Sequence, residues 1–146
     1  MLPAPERGTI ISYAYNWFKD YEDGIETPDR PHPSLVIALS IFDDTETTRI
    51  LALAITHSPP YASDDALEIP DTVKAAAGLD AHQQWVVIGE SNIFTWPGPD
   101  LRQVPRKDPP THIYGKIPSS FLLKVAQAFA ARNRRTATSA KEVTRP

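Results

Sequence analysis

The sequence predicts a mainly β domain of the α+β class, with short helices and a C-terminal helix. Short apolar runs rich in β-branched and aromatic residues recur along the chain, and clear helical periodicity begins only near residue 118. Fifteen prolines against six glycines indicate stiff loops, because proline is kept to turns, edges and strand starts. A chain of 146 residues fits one domain over 1–146, with flexible tails at about 1–7 and 136–146.

The best-defined predicted unit is an antiparallel hairpin. Two apolar runs, 34–42 and 48–56, are separated by the five polar residues 43–47. Further strands are predicted at 9–17, 84–88, 93–96 and 113–115. The acidic stretch 19–29 and the segment 57–65 have no periodicity and are predicted to be loops.

Two helices are predicted. The first, over 70–77, has proline at its start and Gly78 just past its end. The second begins at a capping serine, Ser119 or Ser120. Its apolar residues recur at helical spacing, so we expect this face to pack on the sheet: Phe121, Leu122, Val125 and Phe129.

Composition excludes several classes of function. Without cysteine, the chain has no disulfides, thiolate zinc ligands or thiol nucleophiles. No apolar run approaches the roughly 20 residues that cross a bilayer, and residues 1–7 lack the order of a secretory signal, so we predict a cytoplasmic protein without a membrane partner. Because the net charge is −3, binding to nucleic acid would need a local basic patch.

The four histidines are far apart in sequence and show no i, i+4 pairing: His32, His57, His82 and His112. We therefore expect no metal site and no cofactor. A glycine-rich phosphate loop and a Gly-x-Ser-x-Gly elbow are also missing, which argues against nucleotide-driven transfer and acyl hydrolysis.

Polar side chains cluster at the two open ends of the predicted hairpin. Arg30 and His32 precede one strand, whereas Thr56, His57 and Ser58 end the other. If Ser34 pairs near Thr56, these side chains converge on one rim of the sheet. Histidine can move protons, and arginine and threonine can bind phosphate, so the rim suits cleavage of RNA, which carries its own 2′-hydroxyl nucleophile. The alternative is a set of ordinary solvated turn residues.

Three more residues are candidates for substrate contact. Trp17 borders the acidic loop, where its indole can stack on a base. Glu90 and Asn92 follow a predicted strand, where they either face a site or form a turn.

In these residues the chain resembles the PemK/MazF family of toxin endoribonucleases. The likeness runs from Gly8 to about Phe129 and lies in the order of its elements. They are a glycine-led first strand, Arg-Pro before an apolar run, a strand ending Ile-Thr, a Val-Val-Ile-Gly-Glu strand, and Tyr-Gly before a helix. The resemblance implies a Src-homology-3-like barrel that forms homodimers and cleaves single-stranded RNA without metal, through a 2′,3′-cyclic phosphate. It also implies growth inhibition until a cognate antitoxin binds.

The family's catalytic arginine stands directly before the proline that opens the second strand. A gapless match puts His32 there, whereas matching Arg-Pro itself selects Arg30. The family's catalytic threonine falls on Thr56, and His57 is a candidate second acid or base. The substituted Arg-Pro register leaves a second hypothesis open, a barrel without catalysis that binds protein or nucleic acid.

Overall fold

The computed structural model describes residues 3–18, 32–42, 47–60, 62, 65–135 and 141–145. Within these ranges the fold is a mainly antiparallel sheet with two helices, which confirms the α+β class. The strands are β1 Thr9–Tyr13, β2 His32–Phe42, β3 Thr47–Thr56, β4 Ala66–Glu68, β5 Trp85–Val87, β6 Glu90–Trp96, β7 Ile113–Lys116 and β8 Lys141–Thr144. The helices are α1 Asp71–Ala76 and α2 Ser119–Arg135. Neither is long and apolar enough to cross a membrane.

Strand β3 organises the sheet. The strands run in the order β4-β5-β3-β2-β1-β7, and β6 pairs with both β3 and β8. One edge of β3 pairs with β2, and the other pairs first with β6 and then, at Ile55 and Thr56, with β5. In the described ranges, no pairing joins β7 back to β4, so the sheet does not close into a barrel.

The predicted hairpin is confirmed, with a different register. Ser34 pairs with Ala54 instead of lying opposite Thr56, and the ladder slips by one residue between Val36 and Ala38. Continued to the strand ends, this register sets His32 level with Thr56. The predicted meeting of the two polar clusters therefore holds for this pair.

Strand β1 is shorter than the predicted 9–17. After Tyr13 the chain leaves the ladder while staying buried through Asn16. The Ala14 amide donates to the carbonyl of Asp100 at 2.8 Å, and the Asn16 amide donates to a side chain, so no neighbouring strand extends the pairing.

The C-terminal segment differs most from expectation, because the predicted frayed tail contains a strand. β8 pairs in parallel with β6, and its Val143 is fully buried. Arg145 follows with 7% exposure and lies 2.7 Å from the carboxylate of Asp100, which is 6% exposed. A buried side chain and a buried ion pair thus hold residues 141–145, whereas 136–140 lie outside the described residues.

Two apolar clusters lie on opposite faces of the sheet, as the period of two along a strand requires. Ile10 and Leu35 belong to the cluster that packs on both helices, and their neighbours Ile11 and Val36 belong to the other. The predicted apolar face of α2 is confirmed, since Phe121, Val125, Leu122 and Phe129 all pack in the first cluster. In the second cluster the ring of Tyr13 stacks on Phe94 at 4.3 Å.

Two glycines allow the backbone at the end of α1 to contact the backbone of β7 directly. Gly78 has φ +72°, and a Cβ there would lie 2.5 Å from the carbonyl oxygen of Tyr114. A Cβ at Gly115 would meet the carbonyl of Ala77. This contact fixes where the loop that follows α1 begins.

The Arg145–Asp100 pair generates a prediction about stability. Arg145→Ala leaves the Asp100 carboxylate buried without its cation, which should lower the free energy of unfolding by about 3–5 kcal/mol. Glu142→Ala, an exposed change on the same strand, should alter it by less than about 0.5 kcal/mol. Urea unfolding of both variants measures the difference, and equal values would show that the Arg145–Asp100 pair adds nothing to the stability of the folded chain.

Candidate functional site

A pocket of about 460 Å³ opens at the end of β3. Its wall contains four residues that the sequence analysis assigned to one site: Trp17, His32, Thr56 and Ser58. The rest of the lining is Pro60, Asp65, Ala66 and Val87, which the sequence did not mark. A volume of this size falls in the range that takes small organic ligands.

The hairpin register explains how His32 and Thr56 meet. His32 is the first residue of β2 and Thr56 is the last residue of β3, so adjacent antiparallel strands bring both to one rim. The Ser58 amide donates to Thr56 Oγ1 at 3.1 Å and holds the turn that follows β3. A hydroxyl has one donor and two acceptor positions, so Thr56 keeps its proton for a ligand.

Aromatic contacts set the position of the His32 ring. Its centroid lies 5.9 Å from that of Trp17, with an interplanar angle of 85°, which is an edge-to-face contact. Trp17 in turn meets the ring of Tyr15 edge-on at 5.1 Å. Such contacts between rings are worth about 0.5–1.5 kcal/mol, enough to favour one ring orientation.

In place of the substrate contact that we predicted, Asn92 braces the segment that carries Trp17. Asn92 is fully buried; its Oδ1 accepts from the Asn16 amide at 2.9 Å, and its Nδ2 donates to the Asn16 carbonyl at 2.8 Å. The Asn92 side chain thus pairs with both backbone groups of Asn16, as a neighbouring strand would.

Glu90 binds the same segment on both sides of Asn16. Glu90 Oε2 accepts from the Phe18 amide at 2.8 Å and from the Tyr15 hydroxyl at 3.3 Å. Burial, with Glu90 beside it, raises the pKa of Tyr15 well above its ordinary value, so this hydroxyl stays a donor. Glu90 and Asn92, neither of which is among the residues that line the pocket, therefore hold the backbone on either side of Trp17.

His57 does not line the pocket. Its Nε2 lies 3.1 Å from Oδ2 of Asp80, and its side chain is 55% exposed. Although burial alone would raise it, hydrogen bonds from the His82 amide and from His57 keep the pKa of Asp80 below its ordinary value. Arg30, the alternative to His32 in the resemblance, lies outside the described residues.

An ion pair that the sequence did not reveal forms part of the pocket wall. Asp65 Oδ1 accepts from both Nε and Nη2 of Arg132, each at 3.1 Å. Arg132 belongs to the last turns of α2, so the helix end pairs with one residue of the pocket wall, Asp65. The two residues are 67 positions apart, and no local pattern relates them.

Two comparisons with known proteins give no match for this chain. No family model matches it, and a search of curated proteins gives no match. The geometry of the described residues is therefore the basis for assigning a function.

The Asn92 brace can be tested by its effect on stability. Asn92→Ala leaves the buried N–H and C=O of Asn16 without partners, and at about 1–3 kcal/mol for each unpaired group the free energy of unfolding should fall by about 2–6 kcal/mol. The control Gln83→Ala removes an exposed amide and should change it by less than about 0.5 kcal/mol. Chemical unfolding followed by tryptophan fluorescence measures both variants. An Asn92→Ala protein as stable as the control would mean that the brace is not needed.

Proposed function

We propose that the protein is an endoribonuclease of the PemK/MazF type that cleaves single-stranded RNA without metal. The observation that carries the proposal is the pocket that His32, Thr56 and Trp17 line together. It joins a proton-transfer group, a hydroxyl donor and an aromatic face, three groups that cleavage of RNA can use. The relation of the open sheet described above to the Src-homology-3-like type, the homodimer and the inhibition by a cognate antitoxin belong to the same proposal.

The proposed reaction uses the nucleophile of the substrate. His32 accepts the proton of the 2′-hydroxyl, the O2′–P bond forms, and the P–O5′ bond breaks to leave a 2′,3′-cyclic phosphate. The departing 5′ oxygen takes a proton from water and leaves as a hydroxyl. The Thr56 hydroxyl donates to a phosphate oxygen, where negative charge grows in the transition state. Arg30, which lies outside the described residues, is the second candidate for this position, where a guanidinium would supply a fixed positive charge.

Binding of the RNA strand is assigned to Trp17. The indole is half-buried and packs edge-to-face with the rings of Tyr15 and His32, so little side-chain entropy is lost when a base stacks on it. The Arg132 guanidinium offsets the Asp65 carboxylate at the wall, which lowers the repulsion that an incoming phosphate meets.

Three observations favour the second hypothesis, a binding module without catalysis. Histidine stands where the resemblance implies arginine, Asp65 places a carboxylate in the wall, and the chain carries a net charge of −3. Under this hypothesis the partner is a protein with a basic segment, whose charge complements that of the surface.

Cleavage of RNA in EDTA separates the two functions. The wild-type chain should cut long single-stranded RNA at discrete positions and leave cyclic phosphate ends. Thr56→Val removes the hydroxyl donor and should slow cleavage by about 10²–10³-fold. Thr48→Val, at the other end of β3 and outside the residues that line the pocket, is the matched control and should cleave like wild type. Intact RNA at high wild-type concentration would reject the nuclease and favour the binding module.

The role of His32 predicts a pH dependence. A base catalyst is active when it is unprotonated, so the rate should fall at acidic pH, where a protonated imidazole cannot accept the 2′-hydroxyl proton. His32→Gln should remove this acid limb and lower the maximal rate by about 10²–10⁴-fold. His112→Gln should keep the wild-type profile, since His112 is not among the residues that line the pocket. The His112 Nδ1 instead contacts the Arg102 carbonyl. A profile unchanged in His32→Gln would exclude His32 as the base.

A further inference from the structure

His57, Asp80 and His82 form a surface cluster outside the pocket. His57 Nε2 lies 3.3 and 3.1 Å from Oδ1 and Oδ2 of Asp80, and His82 Nδ1 lies 3.2 Å from Oδ1. The ligand atoms of all three residues lie within 4.8 Å of one another. His57 follows β3, whereas Asp80 and His82 belong to the loop between α1 and β5, so two separate segments supply the cluster.

The separations suit a shared ion. With zinc bonds of 2.0–2.1 Å to nitrogen and oxygen, ligand atoms at tetrahedral angles lie about 3.3 Å apart. The nitrogen-to-oxygen distances in the cluster, 3.1–3.3 Å, fall close to this value. A small closing movement of exposed side chains would complete the arrangement, because His57 and His82 are 55% and 83% exposed.

Buried polar side chains hold the loop that presents Asp80. Gln84 is 1% exposed, and its Nε2 donates to Asp80 Oδ1 at 3.1 Å and to the Asp80 carbonyl at 3.0 Å. Lys74 is 4% exposed, and its Nζ donates to the carbonyls of Ala81 and His82. Hydrogen bonds of this kind behind a ligand are typical of metal sites, where they fix the orientation of the ligand.

The charge of Lys74 does not oppose a cation at the cluster. Its Nζ lies 2.9 Å from Oδ1 of Asp71, one helical turn earlier, so the ammonium is paired within α1. The ligand set itself carries one negative charge from Asp80 and two neutral imidazoles, which lets a divalent ion bind with partial charge neutralisation.

We propose that His57, Asp80 and His82 bind one divalent transition-metal ion of the Zn²⁺ type. Two imidazole nitrogens and one carboxylate favour zinc, nickel or copper over magnesium, which prefers oxygen ligands. Water fills the remaining position on the exposed side. The inference goes beyond the proposed nuclease and does not depend on it, since none of the three residues lines the pocket.

The bound ion would tie the end of β3 to the loop before β5. His57 comes directly after Thr56, so the ion holds the chain one residue from the proposed donor. We therefore expect Zn²⁺ to raise the melting temperature of the folded chain, as any ligand that binds only the native state does.

Calorimetric titration of the EDTA-stripped, dialysed full-length protein with Zn²⁺ tests the proposal without RNA. Wild type should bind one ion per chain, and excess Mg²⁺ should not compete. His82→Gln removes an exposed ligand and should weaken the affinity by about 100-fold or more. Asp80→Asn keeps the shape of the loop and should weaken it similarly. His112→Gln, the same substitution outside the cluster, should bind like wild type.

Absence of saturable Zn²⁺ binding to wild type would overturn the proposal, and so would equal affinity in wild type and His82→Gln. Circular dichroism of each variant shows that the fold is intact, and Asp80→Asn supplies an independent result if His82→Gln does not fold. RNA cleavage takes no part in the readout, so the outcome bears on the ion alone.

Discussion

The two-sided pairing of β3 is the constraint on which the site depends. One edge of the strand is paired with β2 along most of its length, and the other is divided between β6 and β5. A one-residue slip would exchange the two faces of the strand and move Thr56 away from the rim. Because Leu53 and Ile55 belong to one buried cluster and Ala52 and Ala54 to the other, such a slip would be opposed on both faces.

The pocket joins segments that are distant in sequence, and each has its own support. The hairpin supplies His32 and Thr56, the buried amide of Asn92 holds the segment of Trp17, and the end of α2 meets Asp65. Rigid support of this kind suits a binding site, because groups that are already ordered lose little entropy when a ligand arrives. The same end of β3 continues into His57, so the proposed ion and the pocket share one short piece of chain.

Sequence patterns predicted the structural elements that depend on local periodicity. The hairpin and the apolar face of α2 follow from alternation and helical spacing, and the meeting of His32 with Thr56 follows from the hairpin. Contacts between residues that are distant in sequence leave no periodic pattern, so they could not be predicted from it. In the sequence, a polar strand residue that faces a ligand cannot be distinguished from one that hydrogen-bonds a backbone segment. The sequence therefore predicts a substrate contact for Asn92, whereas the structure shows a backbone contact. The C-terminal strand was missed because its anchor, Asp100, lies 45 residues before Arg145.

Direct observation of RNA at the pocket would test the central claim most directly. A short single-stranded RNA with 2′-O-methyl groups lacks the nucleophile, so it can bind without being cut. Titrated into nitrogen-15-labelled protein, it should shift the NMR signals of the Trp17 indole N–H and of the Thr56 and Ser58 amides to saturation. The amides of Gln83 and Thr95, outside the pocket lining, should stay in place. Shifts that are absent, or that cluster away from these residues, would contradict the assignment of the pocket to RNA.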